Sequence, residues 1–181
     1  MITALILALC AASGSQQSNR FVLQVPDSGW SLWLDQKADW RNEKAFLPDE
    51  IVLSQVAPQP PTIGWSNLYQ QKAVKVTLPT TVEEHMWGVN GLRLYKNEYF
   101  YEAQDPDPKN GNYIGVSWWW QTFSLPESFK DKSITLNIRG AKQLAEVFVN
   151  DKLVGYSMLA ESAFKCDITK AAIFGKPNRL A

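Results

Sequence analysis

The stretch that most constrains the fold is residues 115–126, which read GVSWWWQTFSLP. Aromatic and β-branched residues favour a pleated, half-buried surface, so this stretch predicts a β-strand that ends at the proline. Side chains alternate along a strand, which places Trp118 and Trp120 on one face. Trp119 and Phe123 share the other face. Both faces are apolar, so the strand is covered on both sides, or covered on one side and bound to a ligand on the other.

Core packing is the expected role of these aromatics, because large aromatic side chains dominate the burial of apolar surface. The alternative is a stacking surface for a flat apolar ligand face, such as a sugar ring. Residue chemistry alone does not decide between the two roles.

Composition sets the remaining bounds. The chain has 181 residues, of which 45% are hydrophobic, enough for one domain with a real core and an additional segment. Its 18 basic and 18 acidic residues cancel, so no electrostatic argument supports a nucleic-acid partner. Ten prolines and ten glycines spread through the chain favour a protein of strands and turns over a helical one.

The N-terminus reads MITALILALCAA and continues into small and polar residues. This apolar run is shorter than the roughly 20 residues that cross a bilayer, so no membrane span is expected. It is typical of the apolar region of a secretory signal peptide cleaved near residues 12–15, although no Lys or Arg precedes it. We therefore predict a signal peptide over residues 1–15, a linker or strand over residues 16–28, and a secreted or periplasmic protein.

A lipid anchor through Cys10 is the alternative for this leader, but such signals place a small residue where Leu9 stands. Removal of the leader leaves Cys166 alone, and a lone cysteine is expected to be a small buried apolar residue. Catalysis by Cys166 would need a histidine base close in space, and the chain has one histidine, His85. One histidine and scattered carboxylates make no ligand set, so neither a metal nor another cofactor is expected.

Several further segments alternate as half-buried strands do. Val74, Val76 and Leu78 are predicted to point inward, and so are Ile134, Leu136 and Ile138. Strands are also predicted within residues 21–35, 48–54, 145–156 and 163–168, with the sequence VNDK forming the tight turn of a hairpin. Many short strands separated by turns, with no helical periodicity, predict an all-β fold, an antiparallel β-sandwich of jelly-roll type.

Two segments between the strands have distinct predictions. Residues 55–64 carry three prolines, so they are expected to form an irregular connection held on the core by Trp65, Leu68 and Tyr69. Thr80 or Thr81 followed by glutamates predicts a capped helical turn. The aromatic stretch 92–107 is expected to be a functional loop.

Four stretches together resemble a known family. GVSWWWQTFSLP resembles a strand of the N-terminal sugar-binding domain of glycoside hydrolase family 2, with Trp118, Trp119 and Phe123 in the places of its Trp, Tyr and Phe. AEVFVNDKLVGY is similar to the family's hairpin, and FKCDITKAAIFGKPNRLA to the ending of its domain. VTLPTTVEEHMWG is similar to its proline-tryptophan segment. The resemblance covers residues 29–181.

The resemblance implies a galactose-binding-domain-like jelly roll in a retaining β-glycosidase, a group that includes β-galactosidases, β-glucuronidases and β-mannosidases. Retaining hydrolysis needs two carboxylates about 5 Å apart. In the family these are glutamates of a later barrel domain, so no catalytic residue is expected here. The resemblance thus implies the front of a longer O-glycosyl hydrolase, whose partners are a carbohydrate and the C-terminal domains of the same polypeptide. Whether this chain is itself an enzyme stays open.

The residues that could contact sugar are Trp87, Tyr99, Tyr101, Trp120 and Glu161. The alternative for the aromatics is packing within their own domain, and solvated carboxylates are commoner than ligands. Trp120 stands where the family often has a basic residue. Some β-galactosidases have an aspartate that reaches the sugar, and its place in this sequence falls near Leu159. Glu161 lies two residues further on, so the resemblance does not assign that sugar contact to it.

Two other functions remain possible from the sequence. One is a free-standing carbohydrate-binding or adhesion module without enzymatic activity. The other is an accessory domain of a different hydrolase, such as an esterase, because fold alone does not fix function.

Overall fold

The structure of the protein is a computed structural model, which describes residues 4–9, 20–39, 52–86, 113, 115–142 and 144–181. The described residues form ten strands: β1 (Ala4–Leu9), β2 (Arg20–Gln24), β3 (Trp30–Asp35), β4 (Val74–Val76), β5 (Val116–Ser124), β6 (Ser133–Ile138), β7 (Ala145–Val149), β8 (Lys152–Ser157), β9 (Phe164–Asp167) and β10 (Pro177–Leu180). Two short helices, α1 (Trp65–Leu68) and α2 (Val82–Met86), and 3₁₀ turns at Leu53–Gln55 and Glu127–Phe129 lie between them.

The strands form two sheets. One has six strands in the order β4-β3-β5-β10-β7-β8, and the other has four in the order β2-β1-β6-β9. Every pairing between these strands is antiparallel. One apolar core joins the sheets, so the predicted antiparallel β-sandwich is confirmed.

The core lies between the two sheets. From the four-stranded sheet, Ile134, Leu136 and Ile138 are 0–4% exposed, as their alternation predicts. Leu32 of β3 and Val149 of β7 meet them from the six-stranded sheet and are fully buried. Alternation along each strand therefore decides which residues fill the space between the sheets.

The tryptophan strand β5 is covered on both faces. Phe123 belongs to the core between the sheets, and Trp119 packs against that core. Trp118 and Trp120 form a second buried cluster with Phe148 on the outer face of the same sheet. The predicted division of the tryptophans between two faces is confirmed.

Residues 52–73, which we call the covering segment, lie over that outer face. Leu68 of α1 is fully buried in the outer cluster. The Trp65 ring meets the Phe148 ring at 4.9 Å and the Trp118 ring at 5.3 Å between centroids. Tyr69 donates a 2.9 Å hydrogen bond to Asp151, beyond the end of β7. The prediction that Trp65, Leu68 and Tyr69 hold this connection on the core is confirmed.

The predicted hairpin is formed by β7 and β8. Its two turn residues, Asn150 and Asp151, have φ of 51° and 67°, which is the combination that a type I′ turn requires. The Asn150 amide donates at 2.8 Å to the Ala171 carbonyl and to Asn178 Oδ1. Asn178 is fully buried in β10, so the hairpin turn is joined directly to the neighbouring strand.

Two segments differ from the sequence-based expectations. A strand was predicted over residues 48–54, of which the structure describes residues 52–54. There the prediction is wrong, because Leu53–Gln55 is a 3₁₀ turn with no buried residue. Ala4–Leu9, which falls in the predicted signal peptide, forms β1 between β2 and β6. An apolar run of six residues is compatible both with a strand and with the apolar part of a signal peptide. The signal peptide therefore stays a prediction.

Candidate groove between the sheets

A groove of about 1200 Å³ is lined by residues from both sheets and from the covering segment. Trp119 of β5, Val147 of β7 and Ile138 of β6 contribute apolar surface. The polar side chains around it include Asp39, Gln59, Thr62, Glu83, Lys142 and Glu146. The groove therefore combines an aromatic and aliphatic floor with several polar groups, which is the usual make-up of a small-molecule site.

Helix α2 places Glu83 at the groove. Thr81 and Glu84 form a capping box in which each backbone N–H donates to the other side chain at 3.4 Å, as the sequence predicts. The Thr80 hydroxyl also bonds to the Glu84 carboxylate, and this hydrogen bond lowers the pKa of Glu84 below its ordinary value. The start of α2 is thus fixed by its own side chains.

Two carboxylates at the groove accept hydrogen bonds from backbone N–H groups of other residues around it. Glu83 Oε1 accepts a 2.7 Å hydrogen bond from the Tyr113 backbone N–H. Glu146 Oε2 accepts one of 3.0 Å from the backbone N–H of Gln59. Both carboxylates therefore act as acceptors that attach wall segments to helix α2 and strand β7.

Asp35 is the buried anchor of the covering segment. This residue is 1% exposed at the end of β3. Its Oδ2 accepts from the Thr62 backbone N–H at 2.9 Å and from Trp118 Nε1 at 3.1 Å, and its Oδ1 accepts from the Thr62 hydroxyl. A buried carboxylate needs such donors, because an unpaired buried charge is strongly unfavourable.

One of the residues that line the groove has a polar atom without a hydrogen-bond partner. Gln59 Nε2 is buried and has no hydrogen-bond partner. Trp119 is half-buried on the same groove, and its Nε1 donates at 3.0 Å to Ser117 Oγ. A groove lined by both an amide and an indole ring suits a ligand with hydroxyl groups and a flat apolar face.

The residues predicted from sequence to contact sugar fall elsewhere. Trp87, Tyr99 and Tyr101 lie outside the described residues. Trp120 is 8% exposed and meets the Tyr69 ring edge-on at 6.5 Å in the outer cluster, and it does not line the groove.

Glu161 lies in an exposed turn with φ of 57°. Its backbone N–H donates at 2.8 Å to the carbonyl of Ala141, a groove residue, but its side chain does not line the groove. The structure therefore brings neither Glu161 nor Trp120 into the groove, and the sugar contacts predicted for them stay predictions.

Trp119 and Gln59 were not identified from the sequence as groove residues. Trp119 alternates with Trp118 and Trp120, so the sequence could predict its face of the sheet. It could not predict that the groove reaches Trp119 on that face. Gln59 sits in a proline-rich connection with no signal of function, and only the folded chain brings it to β7.

The described residues contain neither a metal-ligand group nor a membrane-spanning helix. Among them, no three His, Cys, Asp or Glu side chains are grouped so that they could hold a metal ion. No helix in this part of the chain is long and apolar enough to cross a membrane.

Comparison with known proteins places the chain in a family. The family model described as "Glycosyl hydrolases family 2, sugar binding domain" matches residues 17–181. A β-glucuronidase of Formosa agariphila is 27% identical over 75 residues, covering 41% of this chain and 8% of the relative. A β-galactosidase of Thermoanaerobacter pseudethanolicus is 31% identical over 72 residues, covering 40% of this chain and 10% of the relative.

Two solved structures are similar as well. A glycosyl hydrolase family 2 member from Bacteroides cellulosilyticus has a TM-score of 0.44 and 20% identity, covering 85% of this chain and 16% of that one. A putative β-galactosidase from Bacteroides fragilis has a TM-score of 0.47 and 21% identity, covering 84% of this chain and 17% of that one. The chain thus spans less than a fifth of the length of each of these four proteins. Since the family model matches nearly the whole sequence, the chain belongs to glycosyl hydrolases family 2, as the sugar-binding domain of that family.

Proposed function

We propose that this domain is the noncatalytic N-terminal part of a secreted retaining β-glycosidase, in which it supports a catalytic barrel and forms part of the wall of the sugar site. The observation that carries the proposal is the family match over residues 17–181. Export is supported by the apolar N-terminal run, which is typical of a signal peptide.

The carboxylates of the groove support a noncatalytic role. Glu83 and Glu146 each accept a hydrogen bond from the backbone of a groove wall. A retaining glycosidase instead needs one carboxylate as nucleophile and another as acid and base across the scissile bond. The two groove glutamates therefore serve to hold the walls, and the catalytic pair belongs to another domain.

The coding sequence beyond Ala181 tests the proposal most cheaply. We expect it to continue into further domains, including a barrel with two glutamates placed for retaining hydrolysis. A stop codon soon after Ala181 would exclude this function and leave a free-standing carbohydrate-binding or adhesion module as the alternative.

We further propose that the groove is where the domain contacts carbohydrate. The Gln59 amide, whose Nε2 is buried without a partner, would donate to a sugar hydroxyl after its side chain turns into the groove, and Trp119 would offer its ring to the apolar face of the sugar. Buried donors are rarely left unpaired, which supports a ligand at this point.

Tryptophan fluorescence during titration with galactose or glucuronic acid tests the groove. We expect a saturable change that Gln59→Ala weakens about fivefold, the loss of roughly 1 kcal/mol for one hydrogen bond. Gln55→Ala is the matched control, because Gln55 is exposed in the same covering segment and does not line the groove. No change at millimolar sugar, or equal weakening by both variants, would contradict a sugar-binding groove.

A further inference from the structure

One stretch of the covering segment has a single backbone donor. Residues 58–61 read Pro-Gln-Pro-Pro, and proline has no backbone N–H, so Gln59 carries the only N–H group of the four. All four residues line the groove. A hydrogen bond donated by the backbone of this stretch can therefore be made only at Gln59.

Glu146 of β7 accepts that hydrogen bond. Its Oε2 lies 3.0 Å from the Gln59 backbone nitrogen. Glu146 is paired with Tyr156 of β8, so its backbone belongs to the ladder of the six-stranded sheet. A carboxylate is a stronger acceptor than a neutral oxygen. The sheet thus holds the groove-lining stretch at Gln59 through one charged side chain.

The backbone of Gln59 has few other conformations open to it. A residue that precedes proline is restricted to extended conformations, because the proline ring collides with a helical one. Directly after the stretch, the Thr62 backbone N–H donates to Asp35 Oδ2 at 2.9 Å. Two carboxylates therefore hold residues 59–62 at both ends, and Glu146 fixes the end that carries the Gln59 side chain.

The Gln59 side chain is the part of this stretch that can bind a ligand. Its Nε2 is buried without a hydrogen-bond partner, although buried donors are nearly always paired. We propose that Glu146 is the positioning residue for carbohydrate binding in the groove, because it holds the backbone from which the Gln59 amide turns toward a sugar hydroxyl. This inference rests on the proposed function, which makes the groove a carbohydrate site.

Substitutions at Glu146 separate the acceptor from the rest of the side chain. Glu146→Leu removes the acceptor and releases Gln59, so the amide should contribute as little to binding as if it were truncated. Glu146→Gln keeps an acceptor oxygen and should stay within about twofold of the original affinity. Glu127→Leu is the matched control, since Glu127 is exposed and does not line the groove, and it should leave the affinity unchanged.

A double-variant cycle tests whether Glu146 acts through Gln59. Tryptophan fluorescence during titration with galactose or glucuronic acid gives the affinity of each protein. Glu146→Leu and Gln59→Ala should each weaken binding about fivefold, the loss of one hydrogen bond. The double variant should also be about fivefold weaker, because the leucine has no Gln59 amide left to displace.

Hydrogen exchange without sugar measures the anchor itself. Glu146→Leu should speed exchange of the Gln59 amide at least about tenfold, since that amide loses its acceptor. The Thr62 amide, held by Asp35, should keep its rate and serves as the internal control. If Glu146→Leu does not fold, Glu146→Thr takes its place, because threonine suits a strand and is too short to reach Gln59.

Two results would overturn the role of Glu146. One is a double variant weakened about 25-fold, since additive losses would mean that Glu146 acts independently of Gln59. The other is an unchanged exchange rate of the Gln59 amide in Glu146→Leu. If neither sugar binds the original protein, the carbohydrate function of the groove is refuted and the positioning role with it. Faster Gln59 exchange in Glu146→Leu would then show that the anchor itself exists and that the proposed function alone was wrong.

Discussion

Trp118 Nε1 donates a 3.1 Å hydrogen bond to Asp35 Oδ2, which joins the tryptophan strand to its neighbour β3 beneath the covering segment. The same oxygen accepts from the Thr62 backbone N–H, so one carboxylate holds both the sheet and the segment that covers it. The indole ring also meets Trp65 and Phe148. Trp118 thus holds two strands and the covering segment together, and it also lines the groove.

Replacement of Trp118 by alanine should destabilise the domain by about 3–5 kcal/mol, because the ring is 7% exposed and its loss leaves a large cavity. Trp118→Phe keeps most of the ring and should lose about 1 kcal/mol from the hydrogen bond, plus a smaller packing loss. Urea unfolding followed by circular dichroism measures both. A loss below 1 kcal/mol for the alanine variant would place the residue on the surface.

Substitution Asp35→Asn should cost about 2–4 kcal/mol. Asparagine keeps one acceptor oxygen but turns an amide donor toward the donors of Thr62 and Trp118, so a buried N–H is left unpaired. The matched control is Asp39→Asn, an exposed carboxylate nearby in sequence, which should change stability by no more than about 0.5 kcal/mol. Equal effects of the two variants in urea unfolding would show that Asp35 is no anchor.

Substitution Gly155→Ala should destabilise the protein by about 1–3 kcal/mol through overpacking. A Cβ at this position in β8 would overlap the Sγ of Cys166, which is 1% exposed and has little room to move. Cys166→Ala removes that sulfur, so the double variant should recover most of the loss in thermal unfolding. If the double variant is as unstable as Gly155→Ala alone, the clash with Cys166 is not the cause. Gly155 would then be needed for its backbone conformation.

The buried thiol of Cys166 should make the free energy of unfolding depend on pH in the alkaline range. Burial raises the pKa of Cys166 from about 9 to about 12, because the apolar surroundings disfavour the thiolate. Between these values the unfolded chain loses the proton and the folded chain keeps it. Stability contributed by this group is therefore complete below pH 9 and falls by about 1.4 kcal/mol per pH unit up to pH 12.

The variant Cys166→Ala isolates this contribution, since every other titrating group stays the same. The difference in unfolding free energy between the original protein and the variant should shrink steadily from pH 9 to 11. A difference independent of pH would mean that the thiol is accessible to water. Slow reaction of the native protein with Ellman's reagent at pH 8 provides an independent check.

Strand faces were the part of the fold that sequence predicted best. Alternation assigned Trp118 and Trp119 to opposite faces and Ile134, Leu136 and Ile138 to the core, because a buried face allows one register only. The Asn150–Asp151 turn followed from residues that tolerate positive φ. Local chemistry decides these features.

Other features depend on contacts between distant segments. Helix α1 is a single turn of four residues, too short to show a period, and it forms where the covering segment meets Trp118 and Phe148. The groove escaped prediction because Gln59 reaches β7 across 87 residues of sequence. Strand β1 was not predicted, since an apolar run at an N-terminus is typical of a leader.

Turnover measured side by side on this chain and on the longer gene product tests the central claim, that the domain supports catalysis performed elsewhere in the same polypeptide. Pure residues 1–181 should not hydrolyse nitrophenyl β-galactoside or β-glucuronide, while the longer product should hydrolyse at least one β-linked nitrophenyl glycoside with retention of configuration. Hydrolysis by the pure 181-residue chain, surviving a second purification, would contradict the account.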